Sequence, residues 1–434
     1  MQVRTNPVTH RIEKTPFWWE AAKPQGKKGE LPFGPIDVLV IGAGYTGLSA
    51  ARTLAGRGLD VLIIDREVPG YGASSRNGGM VGNLLKPGLS GLISAYGEEK
   101  GIAIAKEAVH SVAFLKKLIE TEDIDCDFAL NGRLYPAVLK KHFVSMAAES
   151  EKRSRYLGAD EEILEGKAYQ EDLGSELYVG GIRQYETGGL HPAKYLQGLV
   201  GAVEKAGAHL IAPCEAKAFQ KVKDGFDIQT TDGSVRARHV LFATNGYGGT
   251  ANTFLQRRIM PIGSTMIATE PLGENRIKAL FPSGRMIADS RKMLSYYRPS
   301  PDGQRVLLGG RPTILPASPE EQARSLQKRL CEIFPELRQT AVSHVWSGNV
   351  AYGFDALPTI GRHEGVYYAL GYCGSGVAMS GYLGHKAALQ ILAEPEGVTA
   401  FDDLPFPDRP YYHGRPWFVP LAMIGYAIRD RFGF

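Results

Sequence analysis

The chain has 434 residues, 50 of them Lys or Arg and 46 Asp or Glu, for a formal net charge of +4. That length exceeds what one hydrophobic core usually fills, so two domains are expected, and the small net charge, with no basic run interleaved with aromatics, excludes a nucleic-acid footprint. Cys126, Cys214, Cys331 and Cys373 form no CxxC pair, which argues against a metal site or a disulfide framework and reads as free thiols in a reducing compartment. The N-terminal "MQVRTNPVTHRIEKTPFWWEAAKPQGKKGELPFGP" is polar and proline-broken, lacks the apolar core of a secretory signal, and gives a cytoplasmic address. "IDVLVIG" predicts a buried parallel strand. Leu48, Ala51, Leu54 and Ala55 mark one face of the next helix, which Gly58 ends, and "LDVLIID" completes a βαβ unit. A charged stretch of helical period runs from about Leu89 to Gln170. "GFDIQTTDGSVRARHVLFATNGY" carries an Asp232-Gly233 hairpin turn, and antiparallel strands from Met260 to about Pro316 are joined at Asp302-Gly303. A helix ending near Pro335 precedes "GVYYALGYCGSGVAMSGYLGHKAALQIL", a strand, glycine turn and helix. "PWFVPLAMIGYAI" is too short to span a membrane and is expected to dock on the protein rather than on a membrane surface.

Two strand-to-helix glycine turns more than 300 residues apart imply interleaving. A nucleotide domain is expected from residues 1–88, 171–255 and 340–434, with a second domain from 89–170 and 256–339. Gly42, Gly44 and Gly47 stand in GxGxxG spacing: the first for a tight turn, the second for close approach of a pyrophosphate, the third for helix packing. Asp65, at the end of the second strand, suits ribose hydroxyls and disfavours a 2′-phosphate. Directly behind it, "GYGASSRNGGMVGN" adds donors for the same pyrophosphate, and Gly78-Gly79 would let backbone lie against a ring.

"GASSRNGG", "GGLHPAKYLQGL", "VLFATNGY", "MIATEPL", "YYRPSPDGQRVLLGG", "WSGNVAYGFDALPTIGR" and "GYCGSGVAMSGYLG" follow the GxGxxG in the order seen in the FAD-dependent D-amino-acid oxidase superfamily, which the chain resembles over nearly its whole length. The likeness is nearest the branch of γ-glutamylputrescine oxidase and the glycine and sarcosine oxidases. It implies an α/β, glutathione-reductase-type Rossmann-like FAD domain interleaved with a substrate domain on a large antiparallel sheet. By motif, Gly42, Gly44, Tyr45, Thr46, Gly47, Asp65, Arg66, Ser74, Ser75, Arg76, Asn77, Gly78, Gly79 and Met80 would hold the ADP and flavin. Ala216, Ala243, Thr244 and Asn245 would line the pyrophosphate side, and Gly374, Ser375, Gly376, Val377, Ala378 and Met379 the flavin pyrimidine edge. There a helix N-terminus would stabilise the negative charge of reduced flavin. The chain departs from the pattern at Ser375, where a histidine is usual. It departs again at Ala378, where sarcosine oxidases use a carboxylate-binding lysine, and at Leu307, where they use a lysine that helps oxygen react. No cysteine matches their covalent flavin link, so non-covalent FAD is expected.

Amine dehydrogenation by hydride transfer needs mainly positioning. Period two in "MLSYYRPS" puts Leu294, Tyr296 and Arg298 on one face, and Tyr296 with Arg298 would clamp a substrate carboxylate. Lys292, Arg311, His191 and Asn83 are further candidates, with His191 before Pro192 expected to cap a helix. The expected activity is oxidation of an amine or N-substituted amino acid, which can carry an anionic group, to an imine, with O2 as acceptor. The rivals are a dehydrogenase passing electrons to a quinone or partner, and a non-catalytic flavin-bearing subunit.

Overall fold

In the computed structural model, residues 12–313 and 315–432 are described; the first eleven residues of the N-terminal stretch lie outside them. Two eight-stranded sheets carry the fold. In the first, Ile36–Ile41 lies between Val61–Ile64 and Ser234–Phe242, parallel to both, with His209–Ile211 beyond one and Val366–Leu370 and Thr359–His363 beyond the other. Strand alternation sends Val38, Val40, Val61 and Ile63 to one core, and Leu39, Ile41, Leu62 and Ile64 to another. The first core is roofed by helices Tyr45–Ala55, Glu98–Thr121 and Gly376–Ile391; the second faces the hairpin Ala216–Val222/Gly225–Thr230. The expected helix face is only part of the story at Tyr45–Ala55, which is buried almost all round. It is wedged against Gly376–Ile391, where a Cβ at Gly384 would stand 2.2 Å from the Thr46 carbonyl oxygen. Ser49 Oγ donates to Gly381 O across the same contact at 2.7 Å.

The second sheet runs Val342–Tyr352, Met260–Thr269, Val306–Gly310, Tyr296–Pro299, Met286–Ala288, Arg133–Pro136, Gly180–Gln184, Glu161–Glu165. Every neighbouring pair is antiparallel except Met286–Ala288 with Arg133–Pro136. One face packs on helix Pro319–Ile333 through Ala323, Leu326, Leu330 and Ile333. The other carries a small aromatic core of Trp18, Met266, Leu307 and Trp346.

The parse of the segments shifts in three places. Gly180–Gln184 and Val342–Tyr352, within the stretches 171–255 and 340–434, are strands of the second sheet. Helix Glu98–Thr121, within 89–170, packs its Ile104, Ala108, Val112 and Leu115 into the first core. Apolar alternation reports that a face is buried but not which sheet buries it. The C-terminal stretch forms helix Val419–Phe432, which buries Met423 and leaves Leu421, Ile424 and Ile428 exposed. Asp430 ties this helix down by accepting from the amides of Lys292 and Met293, both at 2.7 Å. Among the described residues no helix is long and apolar enough to cross a membrane.

Candidate active site

The three glycines of the first turn have separate steric reasons. Gly42 has φ +112° and a Cβ there would lie 2.8 Å from Ala243 O; at Gly47 it would lie 1.9 Å from Gly42 O. At Gly44 the near neighbour is Ser74 Oγ, 2.9 Å away. That hydroxyl accepts from Tyr45 N at 3.1 Å, so Ser74 satisfies one free amide of the helix N-terminus. The Asp65 carboxylate closes the turn, accepting from Ala43 N at 2.8 Å through Oδ2 and from Glu67 N at 3.0 Å through Oδ1. Burial pushes its pKa up while those two amides hold it down, with burial the larger effect. Gly42, Gly44, Asp65, Arg66, Ser74, Ala216, Ala243, Thr244 and Asn245 line one cleft, together with Glu67, Tyr71 and Tyr247, which the sequence reading missed.

Side chains of the second loop mostly brace the loop itself. Asn77 Oδ1 accepts from Gly79 N at 2.7 Å while its amide donates to Ala73 O and Ser74 O. Ser75 Oγ donates to Gly70 O at 2.8 Å. Arg76 lies over the rings of Tyr71 and Trp19, 4.4 and 4.8 Å from their centroids. Three indoles clamp the same loop: Trp18 Nε1 to Asn77 O at 2.8 Å, Trp19 Nε1 to Ser75 Oγ at 2.9 Å, and Trp346 Nε1 to Arg76 O at 2.8 Å. Trp18 and Trp19 lie in the polar N-terminal stretch, where two adjacent tryptophans in a chain with four are a signal of burial. Met80 pairs with Gly189 in a two-stranded ribbon. Tyr45 Oη donates to Pro192 O, and Thr46 Oγ1 meets Tyr372 Oη at 2.7 Å, so both side chains are interior struts.

The second glycine turn uses positive φ at Gly371, Cys373 and Gly374 before helix Gly376–Ile391 begins. Gly371 N is held by Asn245 Oδ1 at 3.0 Å, and Ser375 Oγ donates to Leu84 O at 2.6 Å. The helix N-terminus therefore stands against the segment that leaves Gly78-Gly79. Val377, Ala378 and Met379 point into the first core and offer only backbone.

Tyr296 and Arg298 do share a face, and both press on the glycine pair: a Cβ at Gly78 would lie 3.0 Å from Tyr296 Cε2, and one at Gly79 2.7 Å from Arg298 Nη1. The ring side of Gly78-Gly79 is thus claimed by the second sheet. Arg298 is buried, and its guanidinium donates to Leu190 O (2.9 Å), Pro299 O (3.1 Å), Gly79 O (3.2 Å) and Gly78 O (3.4 Å). Burial pulls its pKa down to about 10. Placed this way, Arg298 is a strut joining sheet to loop. Tyr296 Oη meets Ser264 Oγ at 3.1 Å, and Lys292 is exposed.

His191 caps helix Pro192–Lys205, with Nδ1 accepting from Lys194 N at 3.2 Å, and lies edge-on to Trp18. Burial lowers its pKa to about 4. Between that value and the ordinary 6.5 the unfolded chain binds a proton that the folded chain refuses, so this stability is complete above about pH 6.5 and is lost as pH falls toward 4. Urea melts should show about 2 kcal/mol less stability at pH 5 than at pH 7 from this residue. His191→Asn, which keeps a capping acceptor but does not titrate, should remove that part of the slope. An unchanged slope would refute the assignment.

The residues present fit an FAD: a cradle that any Cβ would fill, an acid at the ribose position, and a helix N-terminus at each glycine turn. Asn83 Oδ1, buried and without a hydrogen-bond partner among the described residues, lies one residue before the Leu84 carbonyl that Ser375 bonds. Residues 37–389 match the model of the FAD dependent oxidoreductase family, DAO. The chain is 30% identical to the γ-glutamylputrescine oxidoreductase of Escherichia coli K12 over 402 residues, 92% of this chain and 93% of that one. It is 32% identical to the probable oxidoreductase OrdL of Rhizobium meliloti over 96% of this chain and 97% of that one. The fold is shared with the crystal structure of glycine oxidase from Geobacillus kaustophilus (TM-score 0.72, 21% identity, 87% of this chain and 99% of that one). It is shared also with that of L-proline dehydrogenase from P. horikoshii (TM-score 0.68, 19% identity, 89% and 98%).

Proposed function

The chain belongs to the DAO family of FAD-dependent oxidoreductases, and on that premise we propose that it oxidises the C–N bond of an amine or N-substituted amino acid to an imine, which water hydrolyses to a carbonyl compound and an amine. The observation that carries this reading is the contact of Ser375 Oγ with Leu84 O, which sets the start of a 16-residue helix beside the segment leaving Gly78-Gly79. An FAD held between the two glycine turns would supply the two-electron acceptor, and the N-terminus of helix Gly376–Ile391 would favour negative charge on its reduced form. The kinship with γ-glutamylputrescine oxidoreductase supports an amine as donor. Tyr296 and Arg298 fix the loop against the second sheet, so the chain's own part is to hold the reacting carbon in place and keep water out. The flavin is held without a covalent link: Cys373, in the second turn, is buried, its thiol is pushed up to about 12 by burial, and Sγ donates to Gly371 O at 3.1 Å.

Oxygen is the proposed acceptor, in a cytoplasmic setting. One observation favours a dehydrogenase instead: Leu307 is fully buried beside Trp18, Met266 and Trp346, and no cation stands at that position of the strand. Anaerobic mixing of the purified yellow protein with amines, N-alkyl glycines and D-amino acids tests the reading. Bleaching of the flavin band is expected, with peroxide released when air is admitted. Bleaching without peroxide selects the dehydrogenase, and no bleaching with any amine selects a non-catalytic flavin subunit.

A further inference from the structure

Helix Val419–Phe432 turns its apolar stripe away from the protein. At about 100° per residue, Leu421, Ile424 and Ile428 fall within about 60° of one another, and they are 66%, 44% and 49% exposed. Met423, 6% exposed, and Asp430 stand about 20° apart on the opposite side. That inner side is fastened, because the Asp430 carboxylate accepts from the amides of Lys292 and Met293. The approach to the helix is fastened too: the hydroxyl of buried Tyr412 donates to Ile259 O at 2.6 Å, and its ring meets that of Phe418 edge-on with centroids 6.2 Å apart. Held at both ends, the helix presents a fixed apolar stripe to the outside, whereas a surface helix ordinarily turns such a stripe to the core.

Two further features say what covers the stripe. Just before the helix, Trp417 is 62% exposed, with Nε1 donating to Tyr411 O at 3.3 Å; an indole, with an apolar body and one polar edge, suits the boundary between lipid chains and headgroups. The surroundings are also basic. Between Tyr411 and Phe434 the sequence has Arg415, Arg429 and Arg431 against Asp430 as the sole acid, and the carboxylate of that acid is spent on the Lys292–Met293 backbone. Lys292 is exposed, and its loop reaches the helix Lys140–Leu157 through Ser290 Oγ, which accepts from Val138 N at 3.0 Å and meets His142 Nδ1 at 2.8 Å. The first turn of that helix, with Lys140 and Lys141 exposed, is thereby brought up to the same loop. Among the described residues, Lys140, Lys141, Lys292 and Arg415 make no ion pair with a carboxylate. An apolar stripe with a basic rim complements an anionic bilayer surface. A second copy is the poorer occupant, because a two-fold contact through this face would set two positive rims against each other. With 14 residues the helix is too short to span a bilayer and long enough to lie in its surface.

We propose that helix Val419–Phe432 binds the protein to the surface of an anionic bilayer, with Trp417, Leu421, Ile424 and Ile428 entering the lipid and Lys140, Lys141, Lys292 and Arg415 meeting the headgroups. The inference stands apart from the amine-oxidising reading, since it concerns where the protein works, whatever it oxidises.

The test uses the full-length holoprotein and vesicle sedimentation. Vesicles of phosphatidylcholine and phosphatidylglycerol in equal parts should carry the protein down, pure phosphatidylcholine should do so more weakly, and added salt should weaken the first. Leu421→Asp and Ile424→Asp should each cut partitioning about 10-fold or more, the loss of one buried aliphatic side chain. Lys140→Gln with Lys141→Gln should cut it about fivefold for each charge on the anionic vesicles and hardly at all on the neutral ones. Tryptophan emission should shift to the blue on adding anionic vesicles, and Trp417→Phe should abolish the shift. Flavin content and urea melts equal to the parent's are expected for these variants, whose side chains lie outside the cores. No sedimentation of the wild type on anionic vesicles, or equal partitioning of the wild type and both Asp variants, would overturn the inference. So would a wild-type dimer in light scattering that Ile424→Asp turns into a monomer while vesicles leave both in solution, since a second copy would then be the occupant.

Discussion

Arg298→Met should release the flavin and lower stability by about 3 kcal/mol, since it leaves the buried carbonyls of Gly79 and Leu190 without their shared donor. The guanidinium reaches four carbonyl oxygens on three segments: the Gly78-Gly79 loop, the approach to helix Pro192–Lys205, and its own strand. Removing it unties the loop from the second sheet at the place where both cofactor and substrate must be held. Arg298→Lys keeps a charge but lacks the fork, so it should recover only part of the loss. Urea denaturation read beside flavin content checks this. Were Arg298 a carboxylate clamp, both variants would keep the flavin and the stability, and the change would be a higher KM.

Gly47→Ala carries the other large expected effect. The added methyl would lie 1.9 Å from Gly42 O and 3.0 Å from Val40 Cγ1, and the first of these is backbone that cannot swing away. Relief requires the helix Tyr45–Ala55 to lift from the turn, which also breaks its seat against Gly376–Ile391. A colourless protein destabilised by about 3 kcal/mol is expected. Gly201→Ala serves as the control, because on helix Pro192–Lys205 a Cβ at that position meets nothing within 4 Å. It should gain about 0.5–1 kcal/mol from helix propensity and keep its colour. A yellow Gly47→Ala protein as stable as the parent would refute the steric account.

The local elements were legible because each has a signature of its own: the βαβ unit and its three glycines, the hairpins at Asp232-Gly233 and Asp302-Gly303, and the strand, glycine turn and helix near the C-terminus. Pairing between sheets was not. Gly180–Gln184 is short and glycine-rich, and Val342–Tyr352 reads like a strand of either sheet, so only the folded chain assigns them. At the site, positions whose role is to lack a side chain were readable at Gly42 and Gly47, whereas the direction of a long side chain was not. Arg298 lies on the same face as Tyr296, as period two required, yet its target is the backbone of the loop opposite. Trp18 and Trp19 escaped notice because their partners are some 55–60 residues away in sequence.

The hydrogen bond between Thr46 and Tyr372 joins residues 326 apart in sequence, and this bears on biosynthesis. The strand Ile36–Ile41 leaves the ribosome early but has to wait for Ser234–Phe242 before it is flanked on both sides. Its helix then waits for Gly376–Ile391 before its other face is covered. Until Gly376–Ile391 emerges, the half-built sheet exposes Val, Leu and Ile edges that favour association with other chains. Cofactor capture is therefore expected late in synthesis, once Gly376–Ile391 has closed over the helix Tyr45–Ala55. With so large a share of its pairings non-local, the protein is expected to fold slowly for its size, and the supply of flavin during that interval governs how much of it matures.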